Sequence, residues 1–436
     1  MNWNSDEVLI LGEVSAIILA AGKGERMWPL TSTRPKPLLE VLCKPMLQYH
    51  LETLADLGIK KAVLVTHSHE DLLKKTSSSI AEKIGMSLSY VRQSEPLGTG
   101  HAVREAIEVS GIRGETVIVY SDIFMTPRSL KDAISKVLSS PSYSIAGAVV
   151  QDASRYGALV SDGSGKLERI IEKSPELSGK EGTVNAGIMK IGAEEIMEEL
   201  KRTAPSIRGE IELTSALESL AKKSDVDVLK LEGEWIDVGT PWDLLRANEL
   251  SLRELCRARG AEEEECVIFD EEKIEIEDPV VLRGPIYIKG SAELGPCAHI
   301  RGYSVICGEN KIGFSVQIKS SVIMRGAKVP HLNYVGDSII GENVNLGAGT
   351  ITANVRHDGR NVRSMLKGSL VDTGRKKFGS VIGDGARTGI NTSILPGVKI
   401  GSNAWIGAGC IVNEDVPDGS IVKCGQEKEV RKRRDA

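Results

Sequence analysis

Gly22 and Gly24 are followed at short range by Arg26, and then by Arg34 and Lys36 in the segment Arg34-Pro35-Lys36-Pro37-Leu38. Glycines let backbone N–H groups approach an anion closely, and cations offset a developing negative transition state, so the stretch reads as a loop for phosphate. The two prolines fix the backbone around Lys36, an odd arrangement for a lysine that only faces solvent. By spacing alone, a Gly-x-Gly turn after a strand can also merely connect two elements.

Two acids could complete such a site. Asp122 closes the apolar run Val117-Ile118-Val119-Tyr120-Ser121, and Asp237 sits in the apolar frame Trp235-Ile236-Asp237-Val238-Gly239-Thr240-Pro241-Trp242. A strand-terminal Asp often only caps a turn. An uncompensated charge inside an apolar frame is costly, however, and a hydrated Mg²⁺ held by both carboxylates and substrate phosphates would remove that cost. Between the glycine loop and Asp122 lies Gln93-Ser94-Glu95-Pro96-Leu97-Gly98-Thr99-Gly100-His101, whose Gln can face a base edge and whose Gly98-Thr99 can admit a flat ring. Taken alone, that segment is also an ordinary Pro-Gly turn.

The elements that must position these residues follow from periodicity. The run Ala16-Ile17-Ile18-Leu19 reads as one buried strand, residues 46–57 as a helix, 61–66 as a strand, 70–84 as a helix, 88–92 as a strand, 100–109 as a helix and 116–120 as a strand. Alternation of this kind predicts a mostly parallel sheet covered by helices, with ligands bound beyond the carboxyl ends of the strands. Residues 242–266 read as helical, ending in the acidic run Glu262–Glu265.

The pattern then changes. Ile276, Leu282, Ile288, Leu294, Ile300, Ile306, Ile312, Ile318 and Met324 keep a six-residue step, and the phase returns at Ile340 and Leu346 and again at Ile382, Ile394, Ile400, Ile406 and Val412. Neither helix nor alternating strand has that period; a parallel β-helix of triangular section does. His331, Tyr334, Asn345 and Asn354, with Arg301 and Lys319 upstream, break the pattern with polar side chains. Cations there can hold a phosphate while the imidazole takes a proton from an amine. Residues 355–380 carry no repeat and read either as a loop over a neighbouring subunit or as a decorated coil.

Composition excludes several classes. With a net charge of -5 the chain has no basic field for nucleic acid, and no apolar run reaches membrane-spanning length. The basic cluster at Lys428 and Arg431–Arg434 reads as a solvated tail. Seven cysteines, an odd number without paired spacing, predict neither a disulfide framework nor a zinc knuckle, and hence a cytoplasmic enzyme.

The glycine loop with its Arg-Pro-Lys-Pro segment resembles the signature of the sugar-nucleotide pyrophosphorylases, which join a nucleoside triphosphate to a sugar 1-phosphate. The resemblance covers about the first 250 residues. It implies that Arg26 and Lys36 contact phosphates, that Leu19, Gly22, Gln93, Gly98 and Thr99 bind the nucleotide, that Gly157, Glu172, Lys173 and Asn185 hold the sugar phosphate, and that Asp122 and Asp237 hold Mg²⁺. Tyr120-Ser121 and Asp237 depart from the bacterial uridylyltransferase pattern towards that of glucose-1-phosphate thymidylyltransferases. The segment His331–Asn354 resembles the acetyltransferase domain of the bacterial bifunctional enzymes that make UDP-N-acetylglucosamine. That match implies His331 as general base, Arg301, Lys319, Tyr334, Asn345, Asn354 and Lys377 as sugar-phosphate contacts, and Ala408 beside acetyl-coenzyme A.

The expected architecture is an α/β nucleotidyltransferase domain over 1–245 with a Rossmann-like, mostly parallel sheet, an acidic linker over 246–270, a left-handed β-helix of hexapeptide repeats over 271–424 and a tail over 425–436. The expected activity is N-acetylation of an amino-sugar 1-phosphate by acetyl-coenzyme A, together with Mg²⁺-dependent nucleotidyl transfer from UTP or dTTP. A homotrimer is expected. The alternative is a nucleotidyltransferase of the glucose-1-phosphate thymidylyltransferase or mannose-1-phosphate guanylyltransferase type with a structural or regulatory β-helix.

Overall fold

The computed structural model describes residues 14–206, 209–270 and 273–425. The N-terminal lead-in and the basic tail lie outside the described residues. The chain divides into two compact units. One holds the chain through Gly24, with Arg34–Glu40 and Lys44–Val238; the other holds Glu25–Thr33, Val41–Cys43 and the chain from Gly239 onward.

The first unit is built on a nine-stranded sheet. Its strands are β1 (Ser15–Leu19), β2 (Lys61–Thr66), β3 (Ser87–Arg92), β4 (Glu115–Tyr120), β6 (Tyr143–Val150), β7 (Gly157–Ser161), β8 (Leu167–Glu172), β9 (Gly182–Gly192) and β10 (Val226–Lys230), and a separate short pair is formed by β5 (Ile123–Phe124) and β11 (Ile236–Asp237). Strands β4, β1, β2 and β3 lie side by side and parallel, as connections through the helices α1 (Met46–Asp56), α2 (Glu70–Lys83) and α3 (Thr99–Ser110) require. On the other side β9 runs antiparallel to β4, β6 and β7. Ile17, Val63, Val65, Ile118, Met189 and Ile191 bury one face against Val103, Leu200 and Leu217 of the covering helices. The carboxyl ends of β1 and β4 thus open at the same edge, where the glycine turn and Asp122 follow.

From Gly239 onward the second unit opens with the helix Pro241–Ala258, whose Thr240 and Asp243 form a capping box. The helix stops well before Cys266, and the acidic run beyond it is a short 3-10 turn over Glu263–Glu265. From Val267 the chain coils into a three-sided parallel β-helix of the hexapeptide type. One face stacks Val267–Asp270, Ile286–Lys289, Ser304–Cys307, Val322–Ile323, Ile339–Ile340, Val381–Ile382 and Lys399–Ile400. A second stacks Val281–Arg283, His299–Arg301, Gln317–Lys319, Tyr334–Gly336, Ile351–Thr352, Ser393–Ile394 and Ile411–Val412. On the third face, Asn345 bridges the strand Lys328–His331 to Arg387–Thr388. The aliphatics of the six-residue phase from Ile288 through Ile318 and from Ile340 through Val412 fill the interior; at Met324 the phase slips by one, Ile323 taking the stack position between Ile306 and Ile340, and Ile276, in the first coil, is 46% exposed. An end coil has a neighbour on one side only.

The non-repeating stretch forms an antiparallel hairpin, Arg363–Leu366 with Ser369–Asp372. It docks on its own prism: Ser364 Oγ donates to the Gly397 carbonyl at 2.7 Å, and Val362 and Phe378 are fully buried. Ile339 pairs with Val381 across this excursion, so the stack closes beneath it.

The cysteines overturn the expectation of unpaired thiols. Cys43–Cys307, Cys256–Cys266 and Cys410–Cys424 are disulfides, and Cys297 alone is free. Cys43 and Cys307 are 264 positions apart and no local spacing shows their pairing, whereas Cys256–Cys266 and Cys410–Cys424 close over only 10 and 14 positions; the cysteine count carries no argument for a reducing compartment. No helix among the described residues is long and apolar enough to cross a membrane.

Candidate active sites

In the first unit, Pro35 is extended and the tight turn Lys36–Leu38 follows it, which turns Lys36 inward. The lysine is 6% exposed. Its Nζ donates to Asp122 Oδ2 at 2.9 Å and stands 4.0 Å from Asp237 Oδ1. The two acids are brought together by backbone: β5 and β11 pair antiparallel with Asp237 opposite Ile123, and the Val238 N–H donates to the Asp122 carbonyl at 2.9 Å. Two carboxylates share one ammonium at the carboxyl end of the sheet. Among the described residues no group of three or more His, Cys, Asp or Glu gathers to hold a metal. The pair suits a hard ion that takes its remaining oxygens from water and substrate phosphates, as Mg²⁺ does.

A second cluster adjoins Asp122 through Tyr120. The Tyr120 hydroxyl is hydrogen-bonded to Thr99 and Asn185 and feels the charges of Glu172 and Asp122; burial first, then those carboxylates, push its pKa up, so it stays protonated. Glu172 accepts from Thr214 Oγ1 at 2.7 Å and lies against Gly157, where a Cβ would come within 2.9 Å of its Oε1. Gly187 takes φ +77° with a Cβ position 2.9 Å from Tyr120, and its N–H donates to Asn185 Oδ1 at 2.9 Å. Gly98, at φ +100°, lies so near the Ile211 carbonyl that a Cβ would approach it to 2.6 Å. Gln93 is buried and its Nε2 contacts the Gly98 carbonyl at 3.0 Å and His101 at 3.1 Å. Gly98, Thr99, Gly157, Glu172 and Asn185 therefore line one region, with Gln93 bracing its edge. Leu19 ends β1 and Gly22 is open on its Cβ side. The Lys173 side chain is exposed. Arg26 is grouped with the second unit, in the turn Glu25–Met27, its guanidinium 3.0 Å from the place a Cβ on Gly239 would take. Tyr120 is the residue whose role the sequence did not disclose, because a tyrosine at a strand end is commonplace.

In the second unit, one corner of the prism joins the strands Lys328–His331 and Tyr334–Gly336. Leu332 turns it at φ +53°, and buried Asn333 locks it by accepting from the His331 N–H at 3.1 Å and donating to the Gly347 carbonyl at 2.8 Å. His331 is exposed at this corner, and Asn345 is exposed on the same face one coil on. On the adjoining face Asn354 Nδ2 contacts the Tyr334 hydroxyl at 3.2 Å and donates to Asp337 Oδ2 at 2.5 Å, while Lys319 Nζ grips both Asp337 oxygens at 2.9 and 2.8 Å. Gly336 makes room for this: a Cβ there would stand 2.8 Å from Asn354 Nδ2. Burial raises the Tyr334 pKa. Arg301 is in register with Lys319 one coil back. Lys377 bridges Val355 beside Asn354, and Ala408 is exposed in the turn after Trp405–Ile406. Asp337, 3% exposed and central to the network, was not singled out, since an Asp after a glycine looks like any turn acid.

Comparison with known proteins fits both geometries. The nucleotidyl transferase family matches residues 15–254, the GMPPB C-terminal domain residues 282–387, and six bacterial transferase hexapeptide repeats residues 379–414. A bifunctional sugar-1-phosphate nucleotidylyltransferase/acetyltransferase of Sulfurisphaera tokodaii is 40% identical over 94% of this chain and 100% of its own. The chain belongs to this family of bifunctional nucleotidyl- and acetyltransferases. Bifunctional proteins GlmU of Methanocaldococcus jannaschii and Methanococcus aeolicus are 38% and 36% identical, covering 94% and 97% of this chain and 97% and 100% of theirs. Members of the family thus align along both units.

Proposed function

We propose that the enzyme N-acetylates glucosamine or galactosamine 1-phosphate with acetyl-coenzyme A and transfers a nucleotidyl group from UTP or dTTP to the sugar 1-phosphate, releasing pyrophosphate. The reading is carried by the convergence of Lys36, Asp122 and Asp237 at the carboxyl ends of the central strands. The sugar phosphate is already an anionic nucleophile and needs no base; its oxygen attacks the α-phosphorus while Lys36 offsets the charge spread over the phosphoryl oxygens. The signature assigns the same duty to Arg26. Asp122 and Asp237 would hold Mg²⁺, which supplies further charge neutralisation when bound. Thr99, Tyr120, Asn185 and Glu172 present hydroxyl, amide and carboxylate partners to a sugar.

For acetylation, the lone pair of the 2-amino nitrogen attacks the thioester carbonyl, the N–C bond forms and the C–S bond breaks. His331 takes the amine proton, and the coenzyme leaves as a thiolate that is then protonated. Arg301 and Lys319 hold the phosphate, Tyr334, Asn345 and Asn354 the sugar. Lys377 and Ala408 are assigned by motif to substrate and coenzyme. Both substrates and coenzyme fit a cytoplasmic enzyme, and exposed Ile390, Ile411 and Ile421 on the prism fit a trimer contact.

The match of residues 282–387 to the GMPPB C-terminal domain favours a second reading, nucleotidyl transfer with a structural prism. One experiment decides. Purified enzyme is given each nucleoside triphosphate with each sugar 1-phosphate, and separately acetyl-coenzyme A with glucosamine 1-phosphate. Pyrophosphate and free coenzyme A should both appear. Absence of coenzyme A release, or release undiminished by His331→Ala, would remove the acetyltransferase half.

A further inference from the structure

One column of the prism is cationic over three successive coils. On the other two faces Asp270 stands opposite Lys289 at 3.6 Å and Glu293 opposite Lys311 at 2.7 Å, beside the like-charged neighbours Glu275–Glu293 and Lys311–Lys328. On the face that carries Tyr334, Arg283, Arg301 and Lys319 stand in register on successive strands. Neighbouring strands lie about 4.8 Å apart, and like charges directly opposite one another destabilise a ladder. Lys319 is answered by Asp337. Among the described residues no carboxylate is within ion-pair distance of the Arg283 or Arg301 guanidinium. Beside them, one position along the same face, His299 has a buried Nε2 with no hydrogen-bond partner. Burial, then the charges of Arg301 and Arg283, hold its pKa down, so the imidazole adds a neutral polar contact and no third cation. Two unanswered guanidinium groups and an unpartnered ring nitrogen make a strip that lacks its anion.

We propose that Arg283 extends the phosphate site of Arg301 and Lys319 by one coil, so that this face accepts an amino sugar carrying a diphosphate, one already joined to a nucleotide, as well as the 1-phosphate. The inference rests on the acetyltransferase reading of His331. A single phosphate reaches Lys319 and Arg301; the second phosphoryl group of a sugar nucleotide leads away from the sugar, towards Arg283. The chemistry is the same transfer: the amine nitrogen gains the acetyl carbon, His331 takes the proton, and the thiolate departs. The two activities then need no fixed order.

The test uses the full-length enzyme with acetyl-coenzyme A and either glucosamine 1-phosphate or UDP-glucosamine. EDTA keeps the nucleotidyl site idle, and the acetylated product is measured by mass. Both acceptors should be acetylated. Arg283→Ala, at an exposed position, should lower the ratio of kcat/KM for UDP-glucosamine to that for glucosamine 1-phosphate about tenfold, the loss of one charge-assisted contact. Arg283→Lys should keep most of the ratio. The proposal is overturned if the 1-phosphate is acetylated and UDP-glucosamine is not, or if the ratio is unmoved by Arg283→Ala. A raised KM for acetyl-coenzyme A with the ratio unchanged would assign the strip to the coenzyme's own phosphates and equally overturn it. If neither acceptor is acetylated, the acetyltransferase reading itself has failed.

Discussion

Lys36 answers to two carboxylates, and its loss removes the ammonium that Asp122 and Asp237 share. Lys36→Ala should therefore slow pyrophosphate release by ~10²–10³-fold, the usual cost of removing one charge-stabilising group from a phosphoryl-transfer site. Asp337 holds a comparable position in the prism. Asp337→Asn strands Lys319 in a largely buried place and should cost about 3 kcal/mol, whereas the double change Lys319→Met with Asp337→Leu should recover most of it. Urea melts of the native chain and of these two variants measure the difference. His50 behaves differently. It is fully buried with an unpartnered Nε2, and burial lowers its pKa to about 4. A folded pKa below the unfolded one means stability present at neutral pH and lost as pH falls from about 6.5 towards 4, roughly 3 kcal/mol in all. The unfolding free energy of His50→Leu should fall less steeply with acid than that of the native chain.

At the scale of elements, periodicity was the dependable signal. The central strands and the helices between them lie within a residue or two of their expected bounds, because each buries a regular stripe. Apart from Met324, where Ile323 takes the stack position, the six-residue phase was likewise legible from Ile288 to Val412, since the inward aliphatics stack coil on coil. It misled at Ile276, where the coil has a neighbour on one side only. This gives a graded expectation: Ile318→Ala, in mid-stack and fully buried, should cost about 2–5 kcal/mol, and Ile276→Ala well under half as much, by chemical denaturation. What hid from the sequence were corners and side-chain networks. Leu332 at φ +53° and Asn333 bracing two backbone groups set the attitude of His331. Neither residue type advertises that duty. The pairing of Asp122 with Asp237 was inferred from cost alone, and the short β5–β11 ladder supplies its geometry.

Over the whole molecule, the residues assigned to nucleotidyl transfer other than Arg26 lie in the first unit and those assigned to acetyl transfer in the second. Lys36→Ala should therefore spare coenzyme A release, and His331→Ala, costing ~10²–10⁴-fold in acetylation, should spare pyrophosphate release. A parallel loss of both would point to folding. The cysteines are where sequence reasoning failed most completely, at the distant pair Cys43–Cys307 and at two short-range pairs alike. Alkylation of the denatured, unreduced chain should tag Cys297 alone, and after reduction all seven thiols. The hairpin excursion carries a different consequence. Because Ile339 stacks on Val381 much as Val381 stacks on Lys399, the coil register runs on across the excursion, whose base is pinned by Val362, Ser364 and Phe378. A foreign segment whose two ends meet could replace the exposed hairpin tip at Lys367-Gly368 as a payload, and the prism would display it at a fixed height.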